Sequence, residues 1–145
     1  MEYAAGKTGR IIAARLFEGE ELYESIQQIA QKENVKSAAV FITGGFRKAG
    51  VVVGPKQEKP KIIGNEKEFV GPGEVLGVGT IYWDDEGPKL HIHTAIGKKD
   101  EVIVGCPRGG AKTSLVLEVT IIEIEGLNAR RKYDENAGLN LLRLS

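Results

Sequence analysis

Ser114-Leu115-Val116-Leu117-Glu118-Val119-Thr120-Ile121-Ile122-Glu123-Ile124 is the longest apolar segment of the chain. Its β-branched residues lose rotamer freedom in a helix and pack well on a pleated surface, so the segment reads as a strand. Both of its faces are largely apolar, which sets it in the centre of a sheet or against a partner. Upstream, Leu90 to Ile96 reads as a strand, Gly97-Lys98-Lys99-Asp100 as a turn, and Glu101 to Val104 as the returning strand.

Short apolar runs recur toward the N-terminus. Arg10 to Phe17 is a strand, broken by Glu18-Gly19-Glu20-Glu21. Leu22, Ile26, Ile29 and Ala30 then follow at helical spacing and predict one amphipathic helix over about Glu20 to Glu33. Lys36 to Thr43 is a second strand, closed by Gly44-Gly45. Val51 to Val53 and Lys61 to Ile63 are short strands, with Pro55 and Pro60 between them. Pro72-Gly73 reads as a turn before a strand from Val75 to Trp83. Leu139 to Leu144 is a last strand or a short arm. One clear helix among seven or more strands predicts a single α+β domain over 1–145. Its sheet is mostly antiparallel, because the connections are too short for repeated crossovers. Residues 1–7 and 139–145 are expected to be flexible or partner-contacting ends.

Composition narrows the function classes. The 145 residues are 41% hydrophobic and 28% charged, which suits a folded domain with a real core. Lys+Arg and Asp+Glu are both 20, so no net charge draws the chain to nucleic acid or anionic lipid. No run approaches a membrane span, and the first residues do not resemble a signal peptide. The one cysteine, Cys106, excludes an intrachain disulfide and leads to the expectation of a cytoplasmic setting.

Both histidines of the chain lie in His91-Ile92-His93. Residues two apart on a strand share a face, so both imidazoles project together, opposite Leu90, Ile92 and Ile96. A turn centred between Lys98 and Lys99 sets Cys106 across from His91, on the same face. Two imidazoles and one thiolate form an N/S donor set suited to zinc or a similar divalent metal, with a fourth position open. A slip of one residue would turn Cys106 away and leave it a small buried hydrophobe. Glu74 is the one further candidate, as a base or ligand; otherwise it is a surface carboxylate. Gly105 to Thr113 approaches a phosphate-binding loop but has the wrong spacing and leads into a strand, so no nucleotide is expected there. Arg130-Arg131-Lys132 reads as a solvated turn.

In this order the motifs resemble the plants-and-prokaryotes-conserved (PPC) domain, from about Thr8 to Gly138. Arg15-Leu16-Phe17-Glu18-Gly19-Glu20-Glu21-Leu22 is similar to the family's Arg-Leu-x-x-Gly-Glu-Asp-Leu, and Leu90-His91-Ile92-His93 to its His-Leu-His. Glu74-Val75-Leu76 is similar to its Phe-Glu-Ile-Leu, with Gly73 in place of Phe. Gly105-Cys106-Pro107 falls where the family has Gly-Gly-His-Leu, so Cys106 replaces a histidine. The resemblance implies a stand-alone prokaryotic type that lacks the plant proteins' AT-hook arm and assembles as a homotrimer. It also implies a metal near subunit contacts, held by His91, His93 and Cys106. The expected role is regulatory or DNA-associated, with a protein or DNA partner and at most weak, non-specific affinity for DNA. The alternative is a small metal-dependent enzyme whose metal activates water for attack on a small molecule.

Overall fold

The computed structural model describes residues 1–144. The chain runs β1 (Lys7–Phe17), α1 (Leu22–Lys32), β2 (Ser37–Gln57), β3 (Ile63–Asp84), β4 (Gly87–Lys98), β5 (Glu101–Pro107), β6 (Lys112–Glu125), β7 (Ala129–Asp134) and β8 (Leu139–Leu144). The eight strands form one sheet in the order β1-β6-β2-β5-β4-β3-β7-β8, with β2 also paired to β3. Among the described residues all strand pairings are antiparallel except the β3–β7 contact of Trp83 with Arg130. The predicted α+β domain with one helix on a mostly antiparallel sheet is the fold observed. Among the described residues no helix is long and apolar enough to cross a membrane.

The sequence reading divided the chain too finely. Gly44-Gly45 does not close a strand, and Val51 to Val53 is no separate one: β2 continues for 21 residues. Pro72-Gly73 is likewise no turn, because β3 continues for 22 residues. The reason is close approach of backbones. A Cβ on Gly44, whose φ is +143°, would stand 2.3 Å from the Val116 carbonyl oxygen, and one on Gly71 would stand 2.3 Å from that of Phe46. Glycine here lets strands bend and press together, with register shifts between Phe46 and Lys48 against both β3 and β6. Beyond the bend, Val51 and Val52 pair with Pro107 and Cys106 of β5. The circuit β2-β3-β4-β5-β2 is thereby closed.

α1 begins where Glu21 caps the backbone N–H of Glu24 at 2.8 Å and ends at Glu33, before Asn34 in the left-handed region. Its stripe of Leu22, Ile26 and Ala30 is wholly buried against one face of the sheet, where Val40, Ile81, Ile92, Leu117 and Ile121 lie. The opposite face exposes Phe41, Leu76, Val78, Val102 and Val104 to solvent within a single chain. β6 lies between β1 and β2, with Leu117, Val119 and Ile121 buried on the helix side. Residues 139–144 pair with β7 in a hairpin whose Arg131 guanidinium lies over the Tyr82 ring at 5.9 Å. Ser145, the last residue of the expected free end, lies outside the described residues. Arg130-Arg131-Lys132, expected as a turn, is part of strand β7, because its alternation is charged on both sides and gave no apolar period to read.

Candidate metal centre

β4 alternates cleanly. Leu90, Ile92, Thr94 and Ile96 are buried beneath α1, whereas His91 and His93 project from the other face. Their rings meet edge to face at 5.0 Å between centroids. The β4–β5 turn is centred one residue later than expected, on Lys99 and Asp100, with Lys98 opposite Glu101. Gly97 suggested an earlier turn but sits within the ladder opposite Val102, and Lys99 supplies the positive φ. One step past the last recorded pair, Thr94 with Gly105, this register sets Cys106 against His93 rather than His91. Moving the centre by one residue changes the partner by two positions and preserves the face. The ligand atoms of His91, His93 and Cys106 all lie within 4.8 Å of one another.

Around a tetrahedral ion with bonds of ~2.0–2.3 Å, such atoms stand ~3.3–3.8 Å apart, so small side-chain rotations close the set. Two nitrogens and one sulfur suit zinc and leave a coordination position free, the pattern of sites that also take a substrate or water. Cys106 is buried, and its Sγ donates to the Pro107 carbonyl oxygen at 3.6 Å. The same oxygen accepts the Tyr23 hydroxyl from α1. Burial, with the neighbouring Cys106 next, holds the Tyr23 phenol well above its ordinary ionisation range. Tyr23 thus ties the helix to the strand end that carries the cysteine. Sequence reading missed it, because a tyrosine beside the apolar stripe of α1 looks like packing alone.

His91 lines a cavity of about 650 Å³ with Thr80, Tyr82, Arg108, Arg131 and Leu141. Partial desolvation, then the positive charge of Arg131, lowers the His91 pKa, with His93 and Arg108 adding to the effect. Neutral imidazole is the form that ligates metal. Arg131 was read as solvated; the structure places it half-buried beside the histidines. Glu74 is not brought to this site. It pairs with Gly97, four residues along β4 from His93 and so ~13 Å away, and lines another cavity with Lys98 and Leu115.

The model of the Plants and Prokaryotes Conserved (PCC) domain matches residues 3–125. Comparison with the curated proteins finds no match. Among solved structures, a metal-containing protein from Archaeoglobus fulgidus is 27% identical, with a TM-score of 0.85 over 97% of this chain and 98% of that one. A plant- and prokaryote-conserved (PPC) protein from Pyrococcus horikoshii is 25% identical, with a TM-score of 0.83 over 99% of this chain and 97% of that one. A protein from Ralstonia eutropha, named as a candidate DNA-binding protein, is 18% identical and shares the fold, with a TM-score of 0.77 over 92% and 90%.

Proposed function

Because the chain belongs to the Plants and Prokaryotes Conserved (PCC) domain family, we propose that it is a self-assembling metal-binding protein in which His91, His93 and Cys106 hold a zinc-like divalent ion. The observation that carries this reading is the convergence of the three ligand atoms within 4.8 Å on one sheet face. The metal-containing relative from Archaeoglobus fulgidus supports it. The assembly is a homotrimer that covers the apolar outer face, since one 11-residue helix covers only the other. The role is regulatory, through self-association and partner binding. Zero net charge leaves only weak, non-selective attraction to duplex DNA.

The test is metal analysis of protein purified without a tag, with anomalous scattering at the zinc edge. Each chain is expected to hold one ion between His91, His93 and Cys106. A Cys106→His variant keeps it, since histidine is an equally good zinc ligand, and Cys106→Ser weakens it. Metal bound as tightly by Cys106→Ala as by the parent would refute the cysteine's part.

A second reading, a small metal-dependent enzyme, is favoured by the cavity beside His91. It proceeds without Glu74, which lies along the strand. Turnover of a small molecule by zinc-loaded protein, lost in His93→Ala, is its signature.

A further inference from the structure

Three arginines of the β7–β8 hairpin differ in their partners. Arg130 meets the Asp85 carboxylate at 3.0 Å, and Arg143 meets that of Asp134 at 2.6 Å. Arg131 forms no ion pair among the described residues. Its Nε is buried with no hydrogen-bond partner, and one terminal nitrogen donates a long 3.4 Å bond to the Thr80 hydroxyl. A guanidinium has five donors, and a half-buried one left so poorly satisfied lacks the solvation it had in water. Arg108 lines the same cavity and also pairs with no carboxylate among the described residues. Its loop is pinned where its backbone N–H donates to the Gly50 carbonyl at 2.7 Å. The two acidic groups in the wall, Asp84 and Glu86, are both engaged by Lys89, at 3.6 and 2.7 Å. The lining thus sets three cations, Lys89, Arg108 and Arg131, against two carboxylates, and neither guanidinium beside His91 is paired with one. Tyr82 and Leu141 supply its apolar wall.

We infer that this cavity binds a small organic oxyanion, a carboxylate or a phosphate monoester, held by Arg131 and Arg108 with its body against Tyr82 and Leu141. Guanidinium groups match the geometry of carboxylate and phosphate oxygens, and charge-assisted bonds in a partly dry site are the stronger kind. An anion supplies acceptors to the terminal nitrogens of Arg131, which have only the long bond to Thr80. The volume of about 650 Å³ suits a metabolite-sized guest rather than a polymer. His91 belongs both to this cavity and to the metal set, so a bound oxyanion stands beside the coordination position left open. That last step rests on the metal reading; the anion site itself does not.

Calorimetric titration with inorganic phosphate and with benzoate, on metal-free and on cobalt-loaded protein, tests the inference. Saturable binding is expected in both forms, together with a shift of the cobalt visible absorption on addition of anion. The stronger of the two probes identifies the head group. Arg131→Gln and Arg108→Gln should each weaken binding ~10–100-fold, the value of a charge-assisted hydrogen bond lost. Arg108 is exposed at a loop, so its variant reports even where Arg131→Gln folds poorly. No saturable heat with either probe in the millimolar range, or heat unchanged in both variants, overturns the anion site. Cobalt that binds but keeps its spectrum while the anion saturates overturns only the link to the open position. Failure of cobalt to bind, with anion binding intact, overturns the metal reading and leaves the anion site standing.

Discussion

The two faces of the sheet have opposite fates. Under α1, Ile92 and Ile81 are fully removed from water by Leu22, Ile26 and their neighbours. On the other face, Leu76 and Val78 remain 66% and 61% exposed, with no described element of the chain covering them. Both faces are apolar, yet only one is a core. The hydrophobic effect is blind to which polypeptide supplies the cover. An open apolar face therefore marks where this chain's own layers run out, and the histidines project from that same face. The histidines and the open apolar residues share a side because the helix has taken the other.

Substitutions matched across the faces test this contrast. The largest loss of folding stability is expected from Ile92→Ala, a fully buried site that leaves a cavity and costs ~2–5 kcal/mol, read as a lowered urea midpoint. A change below ~0.5 kcal/mol would show that the helix side is not the principal core. His93→Ala, on the open face, should leave the folded circular-dichroism signature intact and weaken zinc ~100-fold, one ligand's share of a structural site. Equal zinc affinity in parent and variant would remove the histidine from the set. Leu76→Asp should preserve the fold and reduce the mass in light scattering from three chains to one. An undiminished mass would place the subunit contact elsewhere.

The smallest effect concerns the rim of the helix side. Arg10 reaches Glu123 at 2.8 Å and Glu33 at 3.1 Å. The Arg10 hydrogen bond holds the Glu123 carboxyl below its usual range. A carboxyl with a depressed folded pKa stabilises the fold above its unfolded value and loses that contribution as pH falls through the folded one. Arg10→Ala should thus lower the urea midpoint slightly at pH 7. The gap between parent and variant should close as the solution is acidified below the ordinary glutamate range. A gap independent of pH would assign the effect to packing of the arginine stem instead.

What the sequence disclosed follows from period and propensity. The strand from Ser114 to Ile124, the helix stripe of Leu22, Ile26 and Ala30, and the shared face of His91 and His93 all rest on short-range repeats. Those repeats survive folding unchanged. Features that depend on distant chain were hidden. Gly44 and Gly71 look like punctuation until the backbones of Val116 and Phe46 are seen against them. The β4–β5 register was misjudged because Gly97 looked like a turn residue while Lys99 took the left-handed conformation. Arg131 and Arg108 come from segments with no apolar period, and only the return of β8 makes them walls of one cavity.

The order of strands also sets a timetable for synthesis. β1 has a single hydrogen-bonding neighbour, β6, and Leu16 waits for Leu117. At ~5–20 residues per second, the first strand spends on the order of 5–20 s outside the ribosome before its mate exists. The β2–β3 pairing can form meanwhile, as it joins consecutive segments, but the slot into which β6 inserts stays open until late. An unpaired strand edge held open for that interval is a docking point for neighbouring nascent chains. The final fold of the chain is therefore sealed from its C-terminal half, and slowing translation anywhere between β1 and β6 should raise aggregation, whereas slowing it across β8 should not.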